Sequence, residues 1–374
     1  MLVLSSGGTA KGFCMRSWRN LLGLSAAIAV ANLLAVNSLA DVVQPSEKAG
    51  TSSVQKISPT AHQSIGRGTR FLLSAMRNDG SVGTDIGHPP DLGCTAMVGL
   101  ALLSQGNCPT GGEHQQELMR VLDAVLNTLD RFPNHQIPAR EQTLVQRKIG
   151  ANADIFLAAL FLSQVRGEAA AAEDEVAAAL KKCVWVICQT QGKEGTWGNE
   201  SWAPVLGTVL GWESLRVSSS TGLEVNASAK TAGDALLKQL REKSDKDEGS
   251  WMHSLYKDAS SIRVLYSLNY RNDPVFQECV NRIIKIARED PRPFEQAGGE
   301  EYLAFYFVTE CLLNERRDEL WQSWYPTVEK RIVKMQNGDG SWTGHHCITA
   351  RTFCTAAALL TLQSPNLYLP SSNL

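Results

Sequence analysis

The chain has 374 residues, of which 43% are hydrophobic and 20% charged, and its formal net charge is −2. This is the composition of a globular protein, and it excludes a disordered or a collagen-like chain. A net charge this close to zero provides no basic field for nucleic acid, so we exclude nucleic acid as a partner. The sequence also contains 30 glycines and nine tryptophans, and their positions prove informative.

The N-terminal segment has the pattern of an export signal. Lys11, Arg16 and Arg19 precede an apolar run over 21–36, and Ser38-Leu39-Ala40 follows it as a small-x-small cleavage pattern. The run is shorter than the ~20 residues that a membrane-spanning helix needs. We therefore predict a cleaved signal peptide and an exported protein, periplasmic or secreted. An uncleaved N-terminal anchor is the alternative.

The remaining sequence divides into three further parts. Residues 41–60 are polar and contain Ser, Thr and Pro, which is typical of a flexible leader. We predict that the signal peptide covers 1–40, that one helical domain covers 61–363 and that 364–374 form a tail. No later segment is long and apolar enough to predict a membrane span, and a peripheral membrane contact is compatible with this organisation.

Eight of the nine cysteines follow the signal segment, and no CxxC pair occurs. In an exported chain eight cysteines are compatible with a disulfide framework. Six of them lie in apolar helical stretches, namely Cys94, Cys183, Cys188, Cys279, Cys311 and Cys354. Because cysteine is a common small core residue, we expect buried free thiols.

A pair of helical patterns joined by a loop, Gly-bearing in most units, recurs six times. The units cover 61–106, 116–166, 173–217, 227–269, 274–313 and 318–363. Repeats of roughly 50 residues are typical of stacked or closed arrays. The first helices are amphipathic, whereas the second helices are apolar nearly all round and should be buried on every side. We predict an all-α (α/α)6 toroid with the second helices inside; an open superhelix is the alternative.

The turns of these units share a motif. Unit six reads QxxxGxW from Gln336 to Trp342, and unit three reads the same from Gln191 to Trp197. Unit one keeps the glycine but has Met76 in place of Gln and Val82 in place of Trp. This pattern resembles the QW motif of terpenoid cyclases. The chain is similar to the squalene cyclase and protein prenyltransferase repeat superfamily, a resemblance that implies an α/α toroid.

The motif residues have expected structural roles. Glycine permits the tight turn that follows an outer helix. Tryptophan is a large rigid plate that can wedge between adjacent repeats. Glutamine can bond the free N–H groups at the start of a neighbouring helix. We therefore assign these positions to the fold and not to catalysis.

The resemblance also indicates where a cyclase would carry its acid. Squalene–hopene cyclases have DxDDTA at an inner-helix start, and this chain has DLGCTA from Asp91 to Ala96. Gly93 stands at the proton donor's position, and glycine supplies no proton. The resemblance therefore implies a divergent toroid without the cyclase acid. We interpret Asp91 as a helix cap and the acidic run over 245–248 as a solvated surface loop.

Protein prenyltransferases bind zinc through Asp and Cys at one inner-helix start and His at the next. At the first position this chain has Glu300 and Glu301, and Arg351 falls near the position of that His. His345-His346-Cys347 precede it. These ligand types suit zinc, so Glu300, Glu301, His345 and His346 are a candidate zinc site.

Further polar and aromatic residues recur where inner helices are expected to begin. If the ring closes, they would meet at one mouth, the default location for a ligand. The candidate catalytic carboxylates are Asp91, Asp154 and Asp258. The candidate ligand-binding residues are His88, Trp202, His253, Tyr256, Tyr302 and Arg351.

Three functions remain open, and the sequence leaves open whether the protein is an enzyme. The first is a divergent toroid that binds an apolar, isoprenoid-like molecule or a polypeptide at the barrel mouth. The second is an isoprenoid transferase or cyclase with a relocated acid or a metal. It would need an aromatic cavity, for which the candidates are Phe156, Phe161, Tyr302, Phe305, Tyr306 and Phe353. The third is a secreted carbohydrate-active α/α barrel, a hydrolase or lyase, with two carboxylates roughly 5–10 Å apart.

Overall fold

A computed structural model describes residues 57–131, 142–241, 251–315 and 317–366. The proposed signal peptide, most of the leader, the acidic run over 245–248 and residues 367–374 lie outside this part.

Fourteen α-helices account for most of the described residues. In chain order they are α1 Pro59–Ala75, α2 Leu92–Leu103, α3 Gln115–Arg131, α4 Leu144–Ile149, α5 Ala153–Val165, α6 Glu173–Gln189, α7 Pro204–Ser219, α8 Asn226–Arg241, α9 Trp251–Ser267, α10 Pro274–Glu289, α11 Arg292–Glu295, α12 Gly299–Glu315, α13 Asp318–Lys334 and α14 Arg351–Gln363. No β-strand occurs in the described segments, where β pairing is limited to isolated bridges. The short helices α4 and α11 lie within the second and fifth repeats.

The helices form two concentric layers. Helices α2, α5, α7, α9, α12 and α14 each pack on the next one, and α14 packs back on α2. Helices α1, α3, α6, α8, α10 and α13 lie outside them. Contact between the last inner helix and the first closes the ring. The prediction of an (α/α)6 toroid is therefore confirmed, and an open superhelix is excluded.

Side chains fill the interior of the ring. Every residue of α2 is buried, and so is every residue of α14 after Arg351. Close packing brings the ring of Phe161 against Gly99, where an added Cβ would lie 2.5 Å from a ring carbon. The nearly all-apolar second helices are thus buried on all sides, as their sequences predict.

The QxxxGxW turns join one repeat to the next. Trp342 is fully buried; its indole Nε1 donates to Ile332 O at 2.7 Å, and its ring abuts Gly68 of α1. Gln336 Nε2 donates to Ser64 O of α1 at 2.8 Å. The predicted link to a neighbouring helix is present. Its partner differs, because the amide nitrogen donates to a carbonyl and does not cap a free N–H.

The first helix of the ring begins two residues before the first predicted repeat, and the last inner helix ends at Gln363. Helix α1 begins at Pro59, and the side chain of Ser58 caps it by accepting from Ala61 N at 3.1 Å. Its first two residues therefore belong to the segment that the sequence assigns to the leader. Within the described residues, no helix has the combination of length and apolar character that crossing a bilayer requires.

The eight cysteines that follow residue 40 are free thiols in the described structure. Six are buried, and Cys188 and Cys347 are half-buried. This agrees with the expectation of unpaired core cysteines. Burial raises the pKa of Cys183 to about 12, so that thiol stays protonated and unreactive.

Candidate functional site

The first turn of α12 carries two adjacent carboxylates. Glu300 and Glu301 have no solvent exposure, although they lie where an inner helix begins. A helix N-terminus favours negative charge. Gly299 is needed there, because a Cβ would lie 2.5 Å from the side chain of Ile348 in the loop before α14. Glu300, Glu301 and the two cations that contact them, Lys148 and His346, are named the carboxylate cluster below.

Lys148 is the buried cation of this cluster. Its Nζ lies 3.0 Å from Glu300 Oε1 and 5.0 Å from the ring centre of Tyr256, and only 1% of the side chain is exposed. The short helix α4 positions it through a capping box between Thr143 and Gln146. The second repeat therefore supplies a charge to the fifth across the rim of the toroid.

His346 lies between the two carboxylates. Its Nδ1 is 3.4 Å from Glu300 Oε1, and its Nε2 is 3.2 Å from Glu301 Oε2. Contact with Glu300 and then Glu301 raises the pKa of His346 to about 11, so the ring is an imidazolium near neutral pH. With 21% of its side chain exposed, His346 connects the cluster to solvent.

The two glutamates ionise differently. Burial opposes the charged form of Glu300, but contacts with His346 and Lys148 outweigh burial and lower its pKa. Burial raises the pKa of Glu301 to about 7, although Gly298 N donates to its Oε2 at 2.7 Å. Near neutral pH the first turn of α12 therefore holds one charged carboxylate, Glu300, beside one, Glu301, that retains its proton to higher pH than an ordinary glutamate.

This arrangement predicts lower stability at alkaline pH. The pKa of His346 rises from 6.5 to about 11 on folding, so its contribution is complete below pH 6.5 and is lost as the pH approaches 11. The raised pKa of Glu301 acts in the same direction between 4.5 and about 7. Urea unfolding at about pH 6, 8 and 10 should show a falling free energy of unfolding. His346→Gln should flatten that dependence; an unchanged slope would contradict the charged imidazole.

The predicted zinc site is only partly assembled. Ligand atoms of Glu300, His346 and Cys347 lie within 4.8 Å of one another, whereas His345 is exposed outside this group. Lys148 Nζ contacts both Glu300 Oε1 and, at 3.5 Å, Cys347 Sγ. A divalent cation would have to displace this ammonium. The residues therefore do not fit zinc as they stand.

Two predicted catalytic aspartates lie on the same rim but are buried. Asp91 caps α2, and its Oδ1 accepts from Cys94 N at 2.7 Å, which confirms its interpretation as a helix cap. Burial, with a smaller effect of nearby Asp154, raises the pKa of Asp91. Asp154 lies in the first turn of α5. We assign Asp91 a structural role, the capping of α2.

Asp258 does not lie at the mouth, so its assignment as a catalytic mouth residue needs correction. Its carboxylate pairs with Arg282 of outer helix α10 at 2.7 and 3.0 Å, and it therefore faces the outer layer. Arg351 binds Asp85 at 3.2 Å and Ser341 Oγ at 2.7 Å, so its charge is used in joining the ends of the ring. Tyr302 is buried against Phe305.

The remaining predicted ligand-binding residues differ in exposure. Trp202 and His88 are exposed, and His88 Nδ1 hydrogen-bonds Thr84 Oγ1 at 2.9 Å. Tyr256 is buried below Lys148. The side chain of His253 lies outside the described part.

Of the six aromatic residues proposed for an isoprenoid cavity, five are buried core residues and Tyr306 is half-buried. Phe156, Phe161, Phe305 and Phe353 are exposed by 1% or less. Residues around a water-sized void would keep measurable exposed surface, so these side chains are packed directly against protein. This arrangement removes the aromatic cavity that an isoprenoid enzyme would have formed from them.

Comparisons with known proteins identify a shared fold, but they find no sequence family. No family model matches the chain, and no curated protein matches its sequence. Among solved structures, the GH76A alpha-1,6-mannanase from Salegentibacter sp. HEL1_6 superimposes with a TM-score of 0.55 and 9% identity. The match covers 82% of this chain and 99% of the mannanase. It supports the α/α toroid, whereas membership of the terpenoid cyclase family gains no support.

Proposed function

We propose that this protein is an exported carbohydrate-active enzyme that hydrolyses glycosidic bonds at the carboxylate cluster. The observation that carries the proposal is the pair of adjacent glutamates at an inner-helix start, one held charged and the other able to hold a proton. Glycoside hydrolysis uses two carboxyl groups in these two states. The toroid fold that the chain shares with a mannanase adds support.

In this mechanism the protonated Glu301 donates its proton to the glycosidic oxygen as the bond to the sugar breaks. The ionised Glu300 stabilises the positive charge that develops on the sugar. Water then adds its oxygen to the anomeric carbon and gives a proton to the Glu301 carboxylate, which restores the acid. Lys148 keeps Glu300 charged through the 3.0 Å ion pair. His346 contacts both carboxylates, so it must move aside before a glycosidic oxygen can reach Glu301.

The test is hydrolysis by the purified mature chain. We would incubate it with α-1,6-mannan, the first substrate suggested by the fold neighbour, and with a panel of other polysaccharides, and measure new reducing ends. Glu301→Gln should lower the rate by about 10²–10⁴-fold, because an amide cannot donate that proton. Glu300→Gln should also reduce the rate strongly. The matched control is Glu289→Gln on the exposed surface of α10, which should leave activity unchanged.

Two results would overturn the proposal. One is that the folded protein releases no reducing ends from any polysaccharide. The other is that hydrolysis persists at the wild-type rate in both Glu300→Gln and Glu301→Gln. The first would favour the remaining hypothesis of a divergent toroid that binds an apolar molecule or a polypeptide without chemistry.

A further inference from the structure

We propose that Trp202 is a stacking platform for a sugar ring at the rim of the toroid, on the segment that holds the backbone of Lys148. This inference rests on the proposed function and specifies where its substrate is held. The premise is an exposed indole: 53% of Trp202 is exposed, whereas Trp197, Trp212, Trp321, Trp324 and Trp342 are at most 5% exposed. Tryptophan is enriched at binding interfaces, because its indole combines a large apolar body with a polar N–H.

The backbone around Trp202 is rigidly attached to the end of α4. Trp202 N donates to Arg147 O at 3.1 Å, and Ala203 N donates to Lys148 O at 2.8 Å. In the opposite direction, Ala151 N donates to Glu200 Oε1 at 3.2 Å. These bonds from both sides fix the loop, so little ordering of the backbone is needed when a ligand binds.

Close packing of two glycines strengthens this attachment. Gly198 has a φ of +70°, and a Cβ there would lie 2.5 Å from Ile149 O. Gly150 likewise faces Gly198, with its built Cβ 2.9 Å from Gly198 Cα. The loop and the end of α4 therefore touch backbone to backbone. Such packing fixes the backbone on which the exposed indole of Trp202 is mounted.

The same short segment leads directly to the carboxylate cluster. Lys148 accepts a backbone hydrogen bond from Ala203, the neighbour of Trp202, and its side chain reaches Glu300 Oε1 at 3.0 Å. One lysine side chain therefore separates the mount of Trp202 from the carboxylates. In this proposal, the sugar stacked on the indole and the bond that Glu301 would protonate belong to one polysaccharide chain.

The ligand class follows from the chemistry of the indole. A pyranose ring has an apolar C–H face that packs on a rigid aromatic plate and a rim of hydroxyls that stays solvated. The indole contributes a large contact area with few rotatable bonds, so little conformational entropy is lost. A sugar polymer fits this surface better than a fully apolar molecule, which would leave its other face in water.

The chain provides a matched control for the test. Trp185 is 51% exposed, almost the same as Trp202, but it lies on α6 in the outer layer, whereas Trp202 lies in the loop that leads into inner helix α7. We would measure the binding of Trp202→Ala and Trp185→Ala to α-1,6-mannan and the polysaccharide panel by retardation in affinity gels. Both variants would be made in the Glu301→Gln background so that substrate survives. Thermal melting would establish that each variant folds.

Trp202→Ala should weaken binding by about tenfold or more, Trp185→Ala should not change it, and Trp202→Phe should retain part of it. Equal binding by the two alanine variants would overturn the platform, and so would the absence of retardation of the parent protein by every polysaccharide. If binding depends on Trp202 but the wild type hydrolyses no polysaccharide, the proposed activity is contradicted and the stacking platform is retained. If the wild type hydrolyses a polysaccharide but binding does not depend on Trp202, the stacking platform is contradicted and the proposed activity is retained.

Discussion

Replacing Arg263 with methionine is expected to lower the free energy of unfolding by about 3–5 kcal/mol. Arg263 lies on α9, and its Nε and Nη2 contact both oxygens of Glu213 on α7 at 3.0 and 3.1 Å. Its Nη1 donates to Glu310 on α12 at 2.6 Å. All three side chains are buried, so removal of the cation leaves two buried carboxylates short of a positive partner.

Ionisation of Glu213 explains the size of this effect. Burial opposes its charge, but Arg216 and Arg263 outweigh burial and lower the pKa of Glu213 to about 2. Without Arg263, one of these two cations remains, namely Arg216, whose Nη2 lies 2.8 Å from Glu213 Oε2. Urea unfolding of the full chain measures the change. The control is Arg292→Met, which removes an exposed pair with Asp290 and should leave the unfolding midpoint almost unchanged. A loss for Arg263→Met as small as that of the control would contradict the prediction.

The two charged clusters lie at different levels of the ring. Glu301 and Glu310 are nine residues apart on α12, about 13.5 Å along its axis. The Arg263 group joins three inner helices and has almost no exposed surface. The carboxylate cluster instead reaches solvent through His346. We therefore assign a structural role to the first group and a chemical role to the second.

The sequence predicts the fold well because the signals for it are local. Each QxxxGxW turn places its own glycine, glutamine and tryptophan, and the apolar second helices indicate an inner layer without knowledge of partners. The buried Trp342 and the positive φ of Gly340 agree with those local signals. Closure of the ring is a global property, yet six repeats were enough to favour it.

The site is harder to predict because its members come from distant repeats. Glu300, Glu301 and His346 stand near consecutive inner-helix starts, and the sequence groups them for that reason. Lys148 belongs to the second repeat, and only closure of the ring brings it to Glu300. Sequence analysis therefore missed it, although the capping pattern that begins α4 at Thr143 is visible in the sequence.

The error at Asp258 has a simple geometric reason. Successive residues of an α-helix are about 100° apart, so positions two apart face nearly opposite sides. On α9, Tyr256 faces Lys148, whereas Asp258 faces Arg282 of the outer layer. Proximity to a helix start places a residue at the rim, but its rotation about the helix axis determines whether it faces the mouth.

Lys148→Met is expected to destabilise the fold by about 3–5 kcal/mol near neutral pH, since it leaves Glu300 buried without its ammonium partner. In the wild type, His346 and Lys148 both lower the pKa of Glu300 against the effect of burial. In the variant only His346 remains to do so, and the pKa of Glu300 rises. The penalty should therefore shrink as the pH falls and Glu300 takes up a proton.

The double variant Lys148→Met/Glu300→Gln removes both charges and should recover much of the lost stability. Urea unfolding of the single and double variants measures this, with the exposed Lys230→Met as the control that should change little. If the double variant were no more stable than Lys148→Met, the buried charge of Glu300 would not be the cause, and the ionised carboxylate on which the proposed chemistry depends would lose its support.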